Sequence, residues 1–347
     1  MTLRVAVVGP GAVGSFLGAV LAKGGAEVTL LGRGEAPPER HALRLEEASD
    51  VTTVTVARGG AESPASAGTP DLVILAVKLF DLERALRAAA RWPDVTVLTV
   101  QNGVGAEASV AAERRSPLVA GSLTSSVIPV PGGVRRLRAG GLGLAAVHGV
   151  DPAGLERLAA AFEAGGLATR IHPDPTAMKW SKVVANLVGN ATSAILDMDP
   201  ARIYADRSGF AVERRQLLEA RAVIRALGAT PVDLPGAAVR PLLLGARLPA
   251  WLGRPVLARA IGGARGGKSP SLRLHVRGGD GSAPQPGPTE VRWLNGAVAR
   301  EAARLRVEAP VNAALEVLVE EVAGDEDRAA WFAGRPDRLR AAVEGRD

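Results

Sequence analysis

The sequence predicts an α/β chain, with a doubly wound parallel sheet in the first half and an all-α second half. Three observations predict it. A β-branched run, "LRVAVVG", passes directly into "GPGAVG" and then into a helical stretch. Strand and helix patterns go on alternating to about residue 172, the signature of a parallel sheet. From Thr176 onward strand signals nearly vanish and amphipathic helical spacing takes over. A chain of 347 residues is too long for one ordinary core, so two domains are expected, near 1–172 and 173–347.

The first strand is short and continuously apolar, which suits a parallel strand buried on both faces. It breaks at Gly9, Pro10, Gly11, Ala12, Val13 and Gly14, and "SFLGAVLAKGGAEV" follows with helical spacing and a glycine stop. This is GxGxxG between a strand and a helix, the context in which the motif points to a dinucleotide. Gly9 allows the tight turn, Gly11 admits a pyrophosphate to the backbone, and Gly14 lets helix and strand pack closely. The helix N-terminus then offers N–H groups to the phosphates.

The second strand, "AEVTLLGRG", bears on which cofactor is bound. Where an NAD-binding chain places an acidic residue for the ribose 2′-hydroxyl, this one has Gly32 followed by Arg33. An arginine beside a small residue favours a 2′-phosphate, hence NADP(H); the plainer alternative is a solvated turn arginine. "PDLVILAVK" reads as a strand ending at Lys78, and "LERALRAAARW" as a helix. "DVTVLTVQNGVG" is a strand ending in Gln101-Asn102-Gly103, and "PLVAGSLTSS" a strand running into a turn. Ligands of open parallel sheets collect at the carboxyl ends of strands, so Lys78 and Asn102 are expected to face the cofactor. Both also fit as ordinary strand-end polar residues. Residues 131–150 read as later strands or a hairpin closing the domain. "PAGLERLAAAFEAGG" is a helix, and "LATRIHPDP" a last short strand and linker.

In the second half, "TAMKWSKVVANLVGNATSAILDM" begins a long helix, and "ERRQLLEARAVIRALG" is amphipathic with a glycine stop. "EVRWLNGAVAREAARLR" and "VNAALEVLVEEVAG" read as an antiparallel pair. Between the first two helices and that pair, Gly236 to Gly267 is expected to be irregular, apolar and basic, and "RGGDGSAPQPGP" to be a loop. Within the first helix Lys182, Asn186 and Asn190 recur every fourth residue, with Ser193 on the same line, while Val183, Val184, Leu187 and Val188 call for burial. At 100° per residue these polar groups form one stripe. Such groups are costly to bury unpartnered, so the stripe is expected to line a cleft between the domains where substrate meets cofactor.

Composition narrows the function. Hydrophobic residues at 47% and charged residues at 22% mark a globular chain with a large interior. The absence of cysteine removes disulfides, thiolate metal sites and a cysteine nucleophile. His41, His148, His172 and His275 are scattered, so no histidine metal site is expected. The net charge is +6, but basic residues are spread along the chain and aromatics make up only 3%. Base-stacking platforms are therefore scarce, and small anionic ligands are the expected partners rather than nucleic acid. The N-terminal apolar run is punctuated by glycine and lacks a secretory cleavage pattern. No stretch is long and apolar enough to span a bilayer. A cytoplasmic location with no membrane partner is expected.

With these motifs in order, the chain resembles the ketopantoate reductase (2-dehydropantoate 2-reductase) family over nearly its full length. The resemblance rests on "GPGAVG", "AVK" at Lys78, "QNGVG" at Asn102, "KWSKVVANLVGNATSA" around Lys182, "GGKSPSL" before Leu272 and "TEVRWLNGAV" around Glu290. It implies a Rossmann-like domain followed by a helical domain of the 6-phosphogluconate dehydrogenase C-terminal type. It also implies NADPH-dependent reduction of the 2-oxo group of ketopantoate to pantoate, on the route to pantothenate. By the same resemblance Lys182 falls on the general acid, and Asn186 and Asn190 on substrate-binding amides. Ser271 falls on a substrate-binding hydroxyl, and Asn102 on an asparagine touching substrate and nicotinamide. Lys78 and Val127 fall on cofactor contacts, Val127 through its backbone. Glu290 falls on a glutamate near the cofactor ribose and the catalytic lysine.

The chemistry is coherent without the analogy. Hydride arriving at a ketone carbon leaves charge on oxygen, and an ammonium both stabilises that charge and supplies the proton. No step requires a metal. The chain departs from the family at His275, where an aspartate is usual, and at Pro200, where many members carry asparagine. The loop before Glu290 is extended. These positions lie on the substrate side, leaving reduction of a different small or branched 2-oxo acid as the alternative. A non-catalytic NADP(H)-binding protein is a more distant one, since a pure binder has no need of a proton donor. Both a monomer and a homodimer are compatible with the sequence.

Overall fold

The computed structural model describes residues 2–48, 50–62, 68–264, 269–279, 283–284 and 287–345. The chain divides into two compact units, Met1–Lys179 with Leu234–Ala237, and Trp180–Asp233 with Ala238–Asp347. The division falls later than the expected 172/173. The first turns of the next helix pack into the sheet unit, where Met178 and His172 both lie against Gly143.

The strands of the first unit are β1 (Arg4–Val8), β2 (Glu27–Gly32), β3 (Glu39–Glu47), β4 (Asp50–Gly60), β5 (Leu72–Leu75), β6 (Thr96–Thr99), β7 (Leu118–Leu123), β8 (Ser126–Val130), β9 (Gly133–Arg138), β10 (Leu142–His148) and β11 (Thr169–Ile171). Its helices are α1 (Ala12–Lys23), α2 (Leu82–Ala89), α3 (Ala106–Glu113) and α4 (Pro152–Ala164). The strands form one sheet in the order β11-β10-β7-β6-β5-β1-β2-β4-β3-β9-β8. From β7 through β4 every neighbouring pair is parallel. The chain leaves β1 toward β2 on one side and later returns as β5 on the other, so β1 marks the topological switch point. Its sequence explains its place: Val5, Ala6, Val7 and Val8 are all buried, as a strand covered on both faces requires.

The sequence reading passed over the β3–β4 hairpin, which pairs antiparallel from Glu39↔Arg58 to Glu47↔Asp50. Residues 131–150 give β9, which pairs with β8 in an antiparallel hairpin, and the whole of β10. These outer strands curl the sheet about α1. Phe16, Leu17 and Val20 share a core with Leu43, Leu45, Val54, Val56 and Val134, and with Leu155 and Phe162 of α4. Burying one such phenylalanine contributes about 2–3 kcal/mol. On the opposite face Leu86 and Ala89 of α2, with Trp92, cover Ala6, Val8, Val73 and Leu75.

The second unit is helical. Helix α5 (Pro175–Leu187) begins in the first unit, and α6 (Ala191–Leu196), α7 (Pro200–Ala205), α8 (Arg207–Ala226), α9 (Val239–Arg247), α10 (Ala250–Ala264), α11 (Ser271–Arg277), α12 (Asn295–Leu305), α13 (Pro310–Gly324), α14 (Glu326–Phe332) and α15 (Pro336–Val343) follow. Two expectations are corrected here. The long helix from Thr176 breaks at 188–190, where Gly189 takes φ +56° and packs so closely on Pro200 that a Cβ would lie 2.6 Å from the proline ring. The supposedly irregular Gly236–Gly267 region instead contains α9 and α10, with 265–268 outside the described residues. Gly245 and Gly253 serve packing there: a Cβ on Gly253 would lie 2.7 Å from the Gly245 carbonyl oxygen. Of "RGGDGSAPQPGP", residues 280–282 and 285–286 also lie outside the described residues. No helix among the described residues is long and apolar enough to cross a membrane.

Candidate active site

In the first unit the candidate residues gather at the carboxyl ends of the strands flanking the switch point. After β1, Gly9 turns at φ +98°, a conformation L side chains resist, and donates its N–H to Leu31 O at 3.0 Å. Gly14 is sealed against this turn, since a Cβ there would sit 2.1 Å from the Gly9 carbonyl oxygen. At Gly11, by contrast, a Cβ would meet nothing within 4 Å. Gly11 is also the N-cap of α1, and no side chain caps that helix. The turn is therefore closed toward the protein and open over the helix N-terminus, leaving room and donors for a phosphate. A dinucleotide fits this cradle.

Arg33 follows Gly32 at the end of β2. Its side chain is 76% exposed, and its guanidinium meets Asp81 Oδ2 at 3.5 Å. Lys78, exposed, follows the end of β5 and begins the short 3₁₀ turn Leu79–Asp81. Asn102, half-buried, follows β6 inside a loop whose Gly103 and Gly105 have φ +88° and +112°. Val127 stands in β8 with its side chain in the hydrophobic core, leaving only its backbone for a ligand.

Sequence reasoning missed the network behind Asn102. Lys179 is 3% exposed, and its Nζ donates to Gln101 O at 2.8 Å and to Gly121 O at 3.4 Å. The same ammonium pairs with Glu107 Oε1 at 3.1 Å, and that oxygen also accepts from Thr99 Oγ1 at 2.7 Å. Gln101 Nε2 donates to Leu75 O at 2.7 Å. A lysine three residues before Lys182, beside an apolar run, was the available signal.

In the second unit Lys182 and Asn186 are half-buried on α5, while Val183, Val184 and Leu187 are fully buried. The unbroken stripe fails at its far end. Asn190 is no longer on α5: it is the buried N-cap residue of α6, and its Oδ1 accepts from Leu272 N at 3.1 Å. That bond brings Asn190 to the start of α11, where Ser271 is exposed. Ser193 Oγ, on α6, is buried without a hydrogen-bond partner among the described residues. The break is held by Glu213, fully buried, whose carboxylate accepts from Gly189 N at 3.0 Å and Thr192 Oγ1 at 2.5 Å. Glu290, half-buried, opens the 3₁₀ turn Glu290–Trp293 behind Thr289. Thr289 Oγ1 donates to Glu320 Oε1 at 2.9 Å. His275 meets Gly287 O at 3.3 Å. No cluster of three or more acidic or histidine side chains suited to a metal occurs among the described residues.

Two family models match the chain, ketopantoate reductase PanE/ApbA over residues 5–143 and its C-terminal counterpart over 174–247. The 2-dehydropantoate 2-reductase of Halobacterium salinarum is 31% identical over 327 residues, covering 91% of this chain and 98% of that protein. The crystal structure of a PanE/ApbA family ketopantoate reductase from Ralstonia eutropha JMP134 is 25% identical. It aligns at a TM-score of 0.74 over 94% of this chain and 99% of its own. A D-mandelate dehydrogenase in complex with NADH and anilino(oxo)acetate shares the fold at a TM-score of 0.74. Its identity is 18%, over 93% of this chain and 98% of that one.

Proposed function

The chain belongs to the ketopantoate reductase family, and from that premise we propose that it reduces 2-dehydropantoate to (R)-pantoate with NADPH in the cytoplasm. It is an oxidoreductase of the kind that acts on a CH–OH group, dependent on a pyridine nucleotide. The dihydronicotinamide, when bound, supplies the hydride that the 2-oxo carbon receives. Gly9 to Gly14 hold the pyrophosphate at the open N-terminus of α1, Arg33 takes the 2′-phosphate, and Lys78 and the Val127 backbone complete the cofactor contacts. Asn102 orients the nicotinamide and the 2-oxo group. Lys182 carries an ammonium whose N–H stabilises the developing alkoxide and then transfers its proton there. Glu290 orients that lysine for the transfer. Asn186, Asn190 and Ser271 bind the substrate's hydroxyl and carboxylate without adding competing charge. Asn190 Oδ1 accepts from Leu272 N, which fixes the orientation of the amide it offers to substrate.

The observation that carries this reading is the cradle that is open only at Gly11, with Arg33, Lys78 and Asn102 at the adjacent strand ends. Pro200 against Gly189, and His275 near Gly287, favour a second reading in which the same mechanism serves another small or branched 2-oxo acid. The purified protein, given NADPH or NADH and a panel of 2-oxo acids, is expected to oxidise NADPH fastest with ketopantoate. Turnover only with other 2-oxo acids supports the second reading, and cofactor binding without turnover on any of them refutes both.

A further inference from the structure

One buried cation in the sheet unit is not used by the proposed chemistry. The Lys179 ammonium makes three contacts, matching its three N–H donors, and two of them bracket a single loop. Gln101 O lies immediately before Asn102, and Glu107 lies in the first turn of α3, immediately after the loop. Between these anchors run Asn102, Gly103, Val104 and Gly105, and both glycines have positive φ. Such a loop has much conformational freedom to lose, and in a low-dielectric site an ammonium shared by both of its ends is an effective way to restrict it. The carboxylate is itself located by Thr99 Oγ1, and Gln101 by Leu75 O, so the clamp is built on the ends of β5 and β6.

We propose that Lys179 and Glu107 are positioning residues that hold Asn102 in its working orientation; this rests on the role assigned to Asn102 above. Lys179 is buried with its ammonium held by Gln101 O, Gly121 O and Glu107 Oε1, so it acts through the loop.

A double-mutant cycle with Asn102→Ala tests it. With Asn102 present, Lys179→Met is expected to lower kcat/KM for the 2-oxo acid by about tenfold or more, mainly through kcat, with Lys179→Arg recovering part of the loss. In the Asn102→Ala background the same change is expected to cost less than about threefold, because the group it positions is gone. Equal losses in the two backgrounds overturn the proposal. Glu107→Gln preserves size and supplies the same comparison if Lys179→Met does not fold. Amide hydrogen exchange gives a readout independent of turnover. Lys179→Met and Glu107→Gln should speed exchange at 102–105 while the amides of α1 keep their protection, and unchanged exchange in that loop overturns the clamp. A wild-type protein inactive on every 2-oxo acid, with loop exchange still sensitive to Lys179, would instead refute the proposed function alone.

Discussion

Arg33 and Asp81 form an ion pair in which the arginine side chain remains 76% exposed. A pair of this kind contributes at most about 1 kcal/mol, so Asp81 restrains the guanidinium only weakly and competes with a phosphate for it. Arg33→Ala is therefore expected to reduce the ratio of NADPH to NADH efficiency by about ten- to a hundredfold, as loss of a charge-assisted contact implies. Asp81→Asn is expected to shift the ratio modestly the other way, and steady-state kinetics with both cofactors checks the pair. For Lys182→Ala, kcat should fall by about 10²- to 10⁴-fold while fluorescence titration still shows NADPH binding, since the proposed proton donor is lost and the cradle is not. Arg33 and Lys182 both stand out in the sequence as candidates, because each is a charge where local pattern predicts none. Asp81 and Lys179 were not. Asp81 comes near Arg33 only when β2 and β5 flank β1, and Lys179 reads as one more surface lysine until Gln101 and Glu107 fold around it.

At the scale of elements, the break between α5 and α6 shows where helical periodicity stops being a guide. "VVANLVGNATSA" contains one glycine, which a helix tolerates at about 1 kcal/mol, so the local pattern favours continuation. The break is imposed from afar, by Pro200 against Gly189 and by the buried Glu213 carboxylate taking Gly189 N and Thr192 Oγ1. Glu213→Leu would orphan both donors and is expected to destabilise the protein by about 2–4 kcal/mol, read as a lower denaturant midpoint. In the sheet unit the strands that line the cradle were legible because they are buried on both faces and read as apolar runs. The β3–β4 hairpin was not, because half of its residues face solvent and its alternation is interrupted by charges such as Arg44 and Glu46. Those charges pair with each other, and Glu46 pairs also with Arg135 of β9, a cross-strand partner that spacing cannot foretell.

At the scale of the whole molecule, one buried histidine ties stability to pH. His172 is 5% exposed, its Nε2 has no hydrogen-bond partner among the described residues, and burial with the charge of Arg170 holds its pKa below 6.5. The folded state thus prefers the neutral ring, whereas the unfolded chain takes a proton near 6.5. This stabilisation is complete above pH 6.5 and is lost as pH falls toward the lowered pKa. His172→Leu is expected to flatten the decline in melting temperature between about pH 6.5 and 5 relative to wild type. The two-unit organisation could be anticipated from the change of pattern near Thr176, but the exact division could not. Unit one also takes in Leu234–Ala237 from the middle of the helical sequence, where the Thr124 hydroxyl donates to Pro235 O and Arg138 Nη1 reaches Gly236 O at 3.5 Å. The chain consequently passes between the units at 179/180, again at 233/234, and again at 237/238. A single crossover between two related genes at 179/180 or at 233/234 would give the sheet unit a Leu234–Ala237 clasp of different ancestry. Residues 1–179 and 234–237 are therefore expected to have been inherited together, each compensating in its own sequence for changes in the other.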